Sequence, residues 1–531
     1  MGNINEFIQG LRQSGKSHIA IEYLEYALEK SPTDRDALYN YAILLADSGN
    51  LERATETLKM LLDLEPFHKD ALFDLGAMLF HLGKREESLE ASNRLIKIDK
   101  SWRRILMHSA NVLSGMGRWN EAIERYEEEC SLRNGEIIPW SDLLLSLNYI
   151  EMSREERFSY YKRFYDSLQG GSPPLMKNRD KIKVAYVSSD FRNHAVSYFL
   201  KSLIPYHDKE KFEIYFYHNS PGRDEITELY ENSGTFIESY LMSDEELFKE
   251  IRWREIDILV DLNGHTRDNR LSLFLMRPAP IQMTWMGFSN TLGIPGIEHK
   301  IIHPGILPHD AQQFYLEKIH RVERTLVYTP PEGAPSPSRQ PFLDRGYVTY
   351  GCFNNTRKIS LEMLETWDKI LSVNNSGRLE LLSSGDESFD TGVLNSFSAQ
   401  NRDRVNFNKE RVTLEFMKLL SSVDVFLDTF PHGGGATTAH ALWMGVPIVA
   451  VQGENEYGRF SSSLMEDLGL ERYLAKSRDE YIKISTSLSS DDLISLRDSL
   501  RSRMKQNDHQ GIRNIEKLYE KLVVEYRETR E

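Results

Sequence analysis

Four glycines, Gly15, Gly49, Gly83 and Gly117, stand 34 residues apart in the first quarter of this chain. Ala20, Ala54, Ser88 and Ala122 keep the same spacing, as do Pro32 with Pro66 and Ala37 with Ala71. A fixed period of this length means one supersecondary unit repeated, each copy burying its apolar face only against its neighbours. Two antiparallel helices cross closely where Gly, Ala or Ser occupies the crossing. A glycine can end the first helix in a turn that needs positive φ. Between these points, segments such as residues 37–45 carry apolar side chains at the 3.6-residue helical period.

Small residues at fixed offsets in a 34-residue period are the tetratricopeptide (TPR) signature. An all-α solenoid of about three repeats, with a half-repeat at the start, is expected over residues 1–135. Such a stack has a groove suited to extended peptides, so a protein or peptide acceptor is one expected partner. A spacer or dimerisation element is the other use of the same pattern, and a homodimer would follow from it. Residues 136–178 read as a helical junction rich in aromatics (Tyr149, Phe158, Tyr160, Tyr161, Phe164, Tyr165). The junction ends where Gly170-Gly171-Ser172-Pro173-Pro174 breaks the helix.

After Lys181 the pattern changes to short β-branched runs alternating with helical stretches, which implies parallel sheets. The expected strands of the first half (179–329) are 182–187, 212–217 and 256–261, with a helix over 244–253. Residues 330–344, Pro-rich around Pro330-Pro331 and Pro335-Ser336-Pro337, form a stiff linker. The second half (345–531) has expected strands at 347–353, 378–382, 423–427 and 447–451, then closing C-terminal helices. Two Rossmann-like halves leave a cleft, and ligands of such sheets sit beyond the carboxyl ends of the strands.

The charge balance, 65 basic against 80 acidic residues and net -15, speaks against a general nucleic-acid or anionic-membrane surface. Two distant cysteines, Cys130 and Cys352, cannot make a disulfide framework or a Cys-based metal site. The N-terminus lacks an apolar signal region, and Glu6 spoils a myristoylation pattern. No apolar run approaches the roughly 18–20 residues that span a bilayer. A soluble, cytoplasmic protein is expected.

Three motifs fall at expected strand ends. Residues 427–438, Leu-Asp-Thr-Phe-Pro-His-Gly-Gly-Gly-Ala-Thr-Thr, follow a strand and open a helix. Gly434, Gly435 and Ala436 let amides approach a phosphate, the helix N-terminus adds about half a positive charge, and Thr437 and Thr438 offer hydroxyls. A structural glycine turn is the alternative. Residues 351–359 bring Asn355, Arg357 and Lys358 to a second corner, where a cation suits a diphosphate and opposes the following helix dipole. Residues 189–198 bring Asp190, His194 and Tyr198 to the first half's cleft, and Asn263-Gly264-His265-Thr266 forms a similar loop. Either His194 or His265 can act as base or hold a sugar hydroxyl, or be structural. No metal site stands out: the only Asp-x-Asp is Asp34-Arg35-Asp36, inside the repeat.

Taken together these motifs, with Arg277-Pro278-Ala279-Pro280-Ile281-Gln282, resemble the O-GlcNAc transferase family over essentially the whole chain. The resemblance implies TPR repeats joined to a GT-B type glycosyltransferase. It implies transfer of a sugar from a nucleotide diphosphate to Ser or Thr of proteins, with inversion and without metal or other cofactor. Lys358 matches the lysine that binds the donor diphosphate. His194 matches a histidine beside the acceptor, once proposed as base. Asn355 falls where many members have Gln. Ala436 and Thr437 fall on a pair of threonines, so one hydroxyl is missing. His440 stands where an acidic residue usually holds the ribose, and Phe416 where many members have His. Residues 196–199 and 353–355 also look like the plant Spindly branch, which uses GDP-fucose. UDP-GlcNAc is the first donor implied, GDP-fucose or UDP-glucose the alternative. A TPR scaffold with a degenerate catalytic region is the competing expectation.

Overall fold

The computed structural model describes residues 8, 10–11, 14, 16–504 and 509–529 of the 531. The chain divides into two compact units, residues 1–134 with 385–389, and residues 135–384 with 390–531.

The first unit is a helical repeat. Its helices are α1 (Ser17–Lys30), α2 (Arg35–Asp47), α3 (Leu51–Leu64), α4 (Lys69–His81), α5 (Arg85–Asp99), α6 (Ile105–Gly115) and α7 (Trp119–Leu132). Gly49, Gly83 and Gly117 close the first helix of each pair with φ of 86°, 77° and 73°. That conformation is cheap only for glycine. Gly15, the fourth of the series, lies outside the described residues. Ala20, Ala54, Ser88 and Ala122 are all 0% exposed, as close helix crossing requires. Asp34 and Asn50 cap α2 and α3 by accepting from the amides of Ala37 and Arg53.

The second unit opens with the junction helices α8 (Ile137–Ser146) and α9 (Arg154–Ser167). Tyr161 and Phe164 are fully buried. Gly293 approaches them so closely that a Cβ there would lie 2.9 Å from the Tyr161 carbonyl oxygen. The first lobe follows: β1 (Ile182–Ser188), β2 (Phe212–His218), β3 (Thr235–Glu238), α10 (Asp244–Arg254), β4 (Ile258–Asp261), β5 (Ile281–Trp285), β6 (His299–Ile302) and β7 (Lys318–Arg321). The second lobe comprises β8 (Thr349–Cys352), α11 (Leu361–Val373), β9 (Arg378–Leu382), β10 (Val405–Asn408), β11 (Val425–Leu427), α12 (Ala436–Trp443), β12 (Ile448–Val451) and β13 (Leu474–Ala475).

Both sheets are parallel, with strand orders β3-β2-β1-β4-β5-β6-β7 and β10-β9-β8-β11-β12-β13. Each order reverses direction once, between β1 and β4 and between β8 and β11. That reversal is the crevice where doubly wound sheets bind ligands. Four strands start later than expected: β8 at Thr349, β12 at Ile448, β4 at Ile258 and β11 at Val425. The residue before each of the last two is an aspartate that turns back to the neighbouring strand. Asp257 accepts from the Lys183 amide at 2.9 Å, and Asp424 from the Thr349 amide at 2.8 Å.

The last helix, α13 (Gln510–Glu528), departs from the division at residue 345. Ile512, Ile515, Tyr519 and Leu522 pack in the core of the first lobe beside Val184 and Phe216. The Tyr519 and Tyr186 hydroxyls share a 3.0 Å hydrogen bond, and His207 pairs with Glu516 at 3.0 Å. A second core spans the lobes, joining Tyr198, Phe199 and Tyr328 to Phe353, Ala439 and Leu442. No helix among the described residues is long and apolar enough to cross a membrane.

Candidate active site

Asp428 leaves β11 at the reversal of the second sheet and organises the loop that follows. It is 1% exposed, and its Oδ1 accepts from Asn354 Nδ2 and from the Gly434 amide, both at 2.8 Å. Burial raises its pKa, while Lys358 and these donors oppose the rise. Asn354 also donates to Thr429 Oγ1 at 3.0 Å, and Thr429 donates to the His432 carbonyl at 2.7 Å. Ser461 Oγ donates to the Gly434 carbonyl at 2.9 Å and bonds Thr438 Oγ1 at 2.8 Å. Gly434 is required by space: a Cβ there would lie 2.3 Å from Thr438 Oγ1 and 3.0 Å from Asp428 Oδ1. Around Gly435 there is open room.

The loop delivers the chain into α12. The first amides of that helix, on Ala436, Thr437 and Thr438, have no intrahelical acceptor and carry the positive end of the dipole. Lys358, one turn past β8, meets this corner. Its Nζ donates to the Gly433 carbonyl at 2.6 Å. Burial brings its pKa down to about 8, with Asp428 pulling the other way. A cavity of about 140 Å³ opens here between the lobes. The second lobe contributes Lys358, residues 432–436, Tyr457 and Phe460; the first contributes Ala195, Val196, Phe199, Met286 and Ser289. One ammonium and one helix N-terminus converge on a partly desolvated space, an arrangement built for a multiply charged anion.

The first lobe's own reversal supplies the opposite wall. Asn263, after β4, donates to Ser189 Oγ at 2.7 Å and to Asp190 Oδ2 at 3.3 Å. His194 Nδ1 lies 3.3 Å from Asp190 Oδ2, with the imidazole side chain 39% exposed. Burial lowers its pKa and Asp190 opposes that shift. The histidine is therefore neutral near pH 7 and able to accept a proton. Ala195 and Val196, next on the loop, touch the cavity. The Tyr198 hydroxyl donates to Asn193 Oδ1, and its ring meets that of His440 edge-on at 4.8 Å.

Four residues singled out in the sequence sit elsewhere than expected. His265 is not a cleft group. It is 1% exposed, its Nε2 donates to the Leu292 carbonyl at 2.7 Å, and its Nδ1 bonds Ser141 Oγ of α8 at 2.9 Å. Both ring nitrogens are used, and burial holds its pKa near about 4. Asn355 is exposed and caps the turn at Thr356–Lys358 by accepting from the Arg357 amide at 3.1 Å; its neighbour Asn354 is the one that faces Asp428. Thr438 spends its hydroxyl on Ser461 and is fully buried, so it offers the cavity no side-chain donor. His440 is 5% exposed, its Nδ1 bonds the Tyr328 hydroxyl at 2.6 Å, and burial brings its pKa down to about 4. Tyr198, Tyr328 and Phe416 surround its ring. Ala436 lines the cavity and Thr437 is half-buried.

In the sequence Asn354 and His432 stand inside the motifs without a role of their own, and Ser461 lies outside every motif. Among the described residues, no three His, Cys, Asp or Glu side chains are grouped to hold a metal ion.

Residues 165–329 and 336–520 match the family Glycosyl transferase family 41, and residues 11–79 match Tetratricopeptide repeat. The chain is 30% identical over 414 residues to the probable UDP-N-acetylglucosamine--peptide N-acetylglucosaminyltransferase SPINDLY of Petunia hybrida, over 72% of this chain and 44% of that protein. It is 31% identical over 384 residues to the Arabidopsis thaliana protein of the same name, over 68% of this chain and 42% of that one. The chain thus spans less than half the length of these relatives. Among solved structures, a lysine-to-methionine mutant of the Thermobaculum terrenum O-GlcNAc transferase aligns with a TM-score of 0.82 at 26% identity, over 94% of this chain and 98% of that one.

Proposed function

Because the chain belongs to glycosyl transferase family 41, we propose that it transfers a sugar from a nucleoside diphosphate sugar to a Ser or Thr hydroxyl of a protein, with inversion. The observation that carries this is the meeting of Lys358 with the N-terminus of α12 on one wall of the interlobe cavity. The acceptor oxygen attacks the anomeric carbon, and the bond from that carbon to the β-phosphate oxygen breaks. The hydroxyl proton goes to a base, and the nucleoside diphosphate leaves with the bonding pair. Lys358 Nζ moves from the Gly433 carbonyl to the phosphate, and the amides of Ala436 and Thr437 meet the same growing charge. Removing one preorganised donor of this kind typically costs about 3–4 kcal/mol, or about 100–1000-fold in rate. Neutral His194, with Nδ1 3.3 Å from Asp190 Oδ2, is the first-lobe base, a contribution of about 100–10,000-fold when general-base catalysis operates. No step calls for a metal ion. The repeat unit is assigned the capture of extended acceptor peptides.

UDP-GlcNAc is the first donor, after the names of the relatives. GDP-fucose or UDP-glucose is the second donor reading; His440, a neutral, tyrosine-bonded ring in an aromatic box, leaves the ribose that all three donors share without a carboxylate at this position. A thermal-shift panel of UDP-GlcNAc, UDP-glucose and GDP-fucose separates them. A ligand at 100 times its dissociation constant adds about 2.7 kcal/mol to stability. No shift with any nucleotide sugar would refute the assignment and leave a TPR scaffold.

A further inference from the structure

His432 lines the cavity beside Lys358 and is held there like a fixture. Its ring centroid lies 4.8 Å from that of Tyr149, at 35°, and 5.7 Å from that of Tyr457. Tyr149 comes from the junction between α8 and α9; Tyr457 comes from the second lobe. Arg157 of α9 braces the arrangement, with its guanidinium 4.9 Å over the Tyr457 ring and its Nη2 donating to the Ile150 carbonyl at 3.0 Å. The His432 carbonyl is pinned by Thr429 Oγ1. Burial, then the charges of Lys358 and Arg157, hold the imidazole well below its usual pKa. It is therefore neutral, with one nitrogen to donate and one to accept. Its buried Nδ1 finds no partner of normal geometry, the Asn148 main chain lending only weak support.

Few other polar side chains reach this cavity. Lys358 answers the diphosphate. The Tyr457 hydroxyl already accepts from Asn455 Nδ2 at 2.9 Å. Ser289 stands on the first-lobe wall. A hexose entering the space gives up water at each hydroxyl or acylamino group, and an unmatched polar group costs about 1–3 kcal/mol. Moving back along the loop from α12, the position after Gly433 is His432. That puts the imidazole on the same cavity wall as Lys358, beside the corner assigned to the diphosphate.

We propose that His432 reads a polar substituent of the transferred sugar, and that Tyr149 is the positioning residue that fixes the imidazole for this. The assignment rests on the donor reading given above. It predicts that the stacked pair governs which nucleotide sugar is used, and leaves the affinity for the nucleotide itself untouched.

Calorimetric titration tests it with UDP, UDP-GlcNAc and its C4 epimer UDP-GalNAc, and in parallel with GDP and GDP-fucose. His432→Ala and the milder His432→Asn should keep the dissociation constant of the free nucleotide within about twofold. Both should lose about tenfold in affinity for the preferred nucleotide sugar, which is roughly 1.4 kcal/mol, and the preference between epimers should narrow. Tyr149→Ala should narrow the same preference and Tyr149→Phe should restore it, which a merely structural tyrosine would not do. Equal loss of nucleotide and nucleotide sugar, or unchanged selectivity in all four variants, would overturn the proposal while leaving the donor site standing. A wild-type protein that binds none of these nucleotides would overturn both.

Discussion

Lys358 Nζ and the Gly433 carbonyl oxygen lie 2.6 Å apart, so the loop that leads into α12 also holds a cation at the head of that helix. Burial has already lowered the lysine's pKa to about 8. In the free protein the ammonium is charged below that value and lost above it. The value of kcat/KM should therefore fall as pH rises through about 8. Stability moves the other way. The unfolded lysine keeps its proton up to about 10.4, so deprotonation of the folded form between those values favours the fold. A pH series of nucleotide titrations and melting curves should show binding weakening over the interval in which this lysine's contribution to stability grows. Lys358→Met should remove both trends.

Gly434 sits where no side chain fits, with Thr438 Oγ1 and Asp428 Oδ1 crowding the place a Cβ would take. Gly434→Ala must displace the threonine that closes α12's first turn or the carboxylate that ties the loop. We expect a loss of about 1–3 kcal/mol, the range for overpacking a tight site. Nucleotide binding should weaken by at least about tenfold, since the amides of α12 are re-aimed. Urea midpoints and calorimetry measure the two effects separately.

Tyr328 and His440 join the lobes through a buried hydrogen bond of 2.6 Å. Tyr328→Phe strands the imidazole nitrogen without filling its need. Stability should drop by about 1–3 kcal/mol, the cost of an unsatisfied buried polar group. Tyr328→Phe with His440→Leu should recover much of that loss. A double variant as unstable as the sum of the singles would contradict the pairing.

The two loop histidines should separate cleanly. His265→Ala leaves the Leu292 carbonyl and the Ser141 hydroxyl without their partner, and should lower the melting temperature while the surviving folded protein turns over normally at low temperature. His194→Ala should do the reverse, keeping the melt and losing about 100-fold in rate. Acid acts on His265 through linkage. Its folded pKa near about 4 lies below the unfolded value of about 6.5, so stability falls as pH drops between them.

The repeat and the parallel sheets were legible because short-range rules decide them. Gly49, Gly83 and Gly117 adopt positive φ and Ala20, Ala54, Ser88 and Ala122 vanish from the surface at the spacing the sequence shows. The site was less legible because long-range partners decide it. His194 and His265 follow equivalent strand ends, and Ser141, 124 residues before His265, and the Leu292 carbonyl, 27 residues after it, make one of them structural. Asn354 and Asn355 could not be told apart by strand alternation, since β8 has ended at Cys352. His440 depends on Tyr328, 112 residues away. Nor does an amphipathic stripe on α13 say which lobe it will cover.

The binding of free UDP and GDP to wild type and to Lys358→Ala, measured by calorimetry at pH 7, is the most direct trial. Tight binding to wild type, weakened at least about tenfold in a variant with an unchanged melt, is the expected result. Equal affinity in the two proteins, or no binding to wild type, would contradict a diphosphate held between Lys358 and the head of α12.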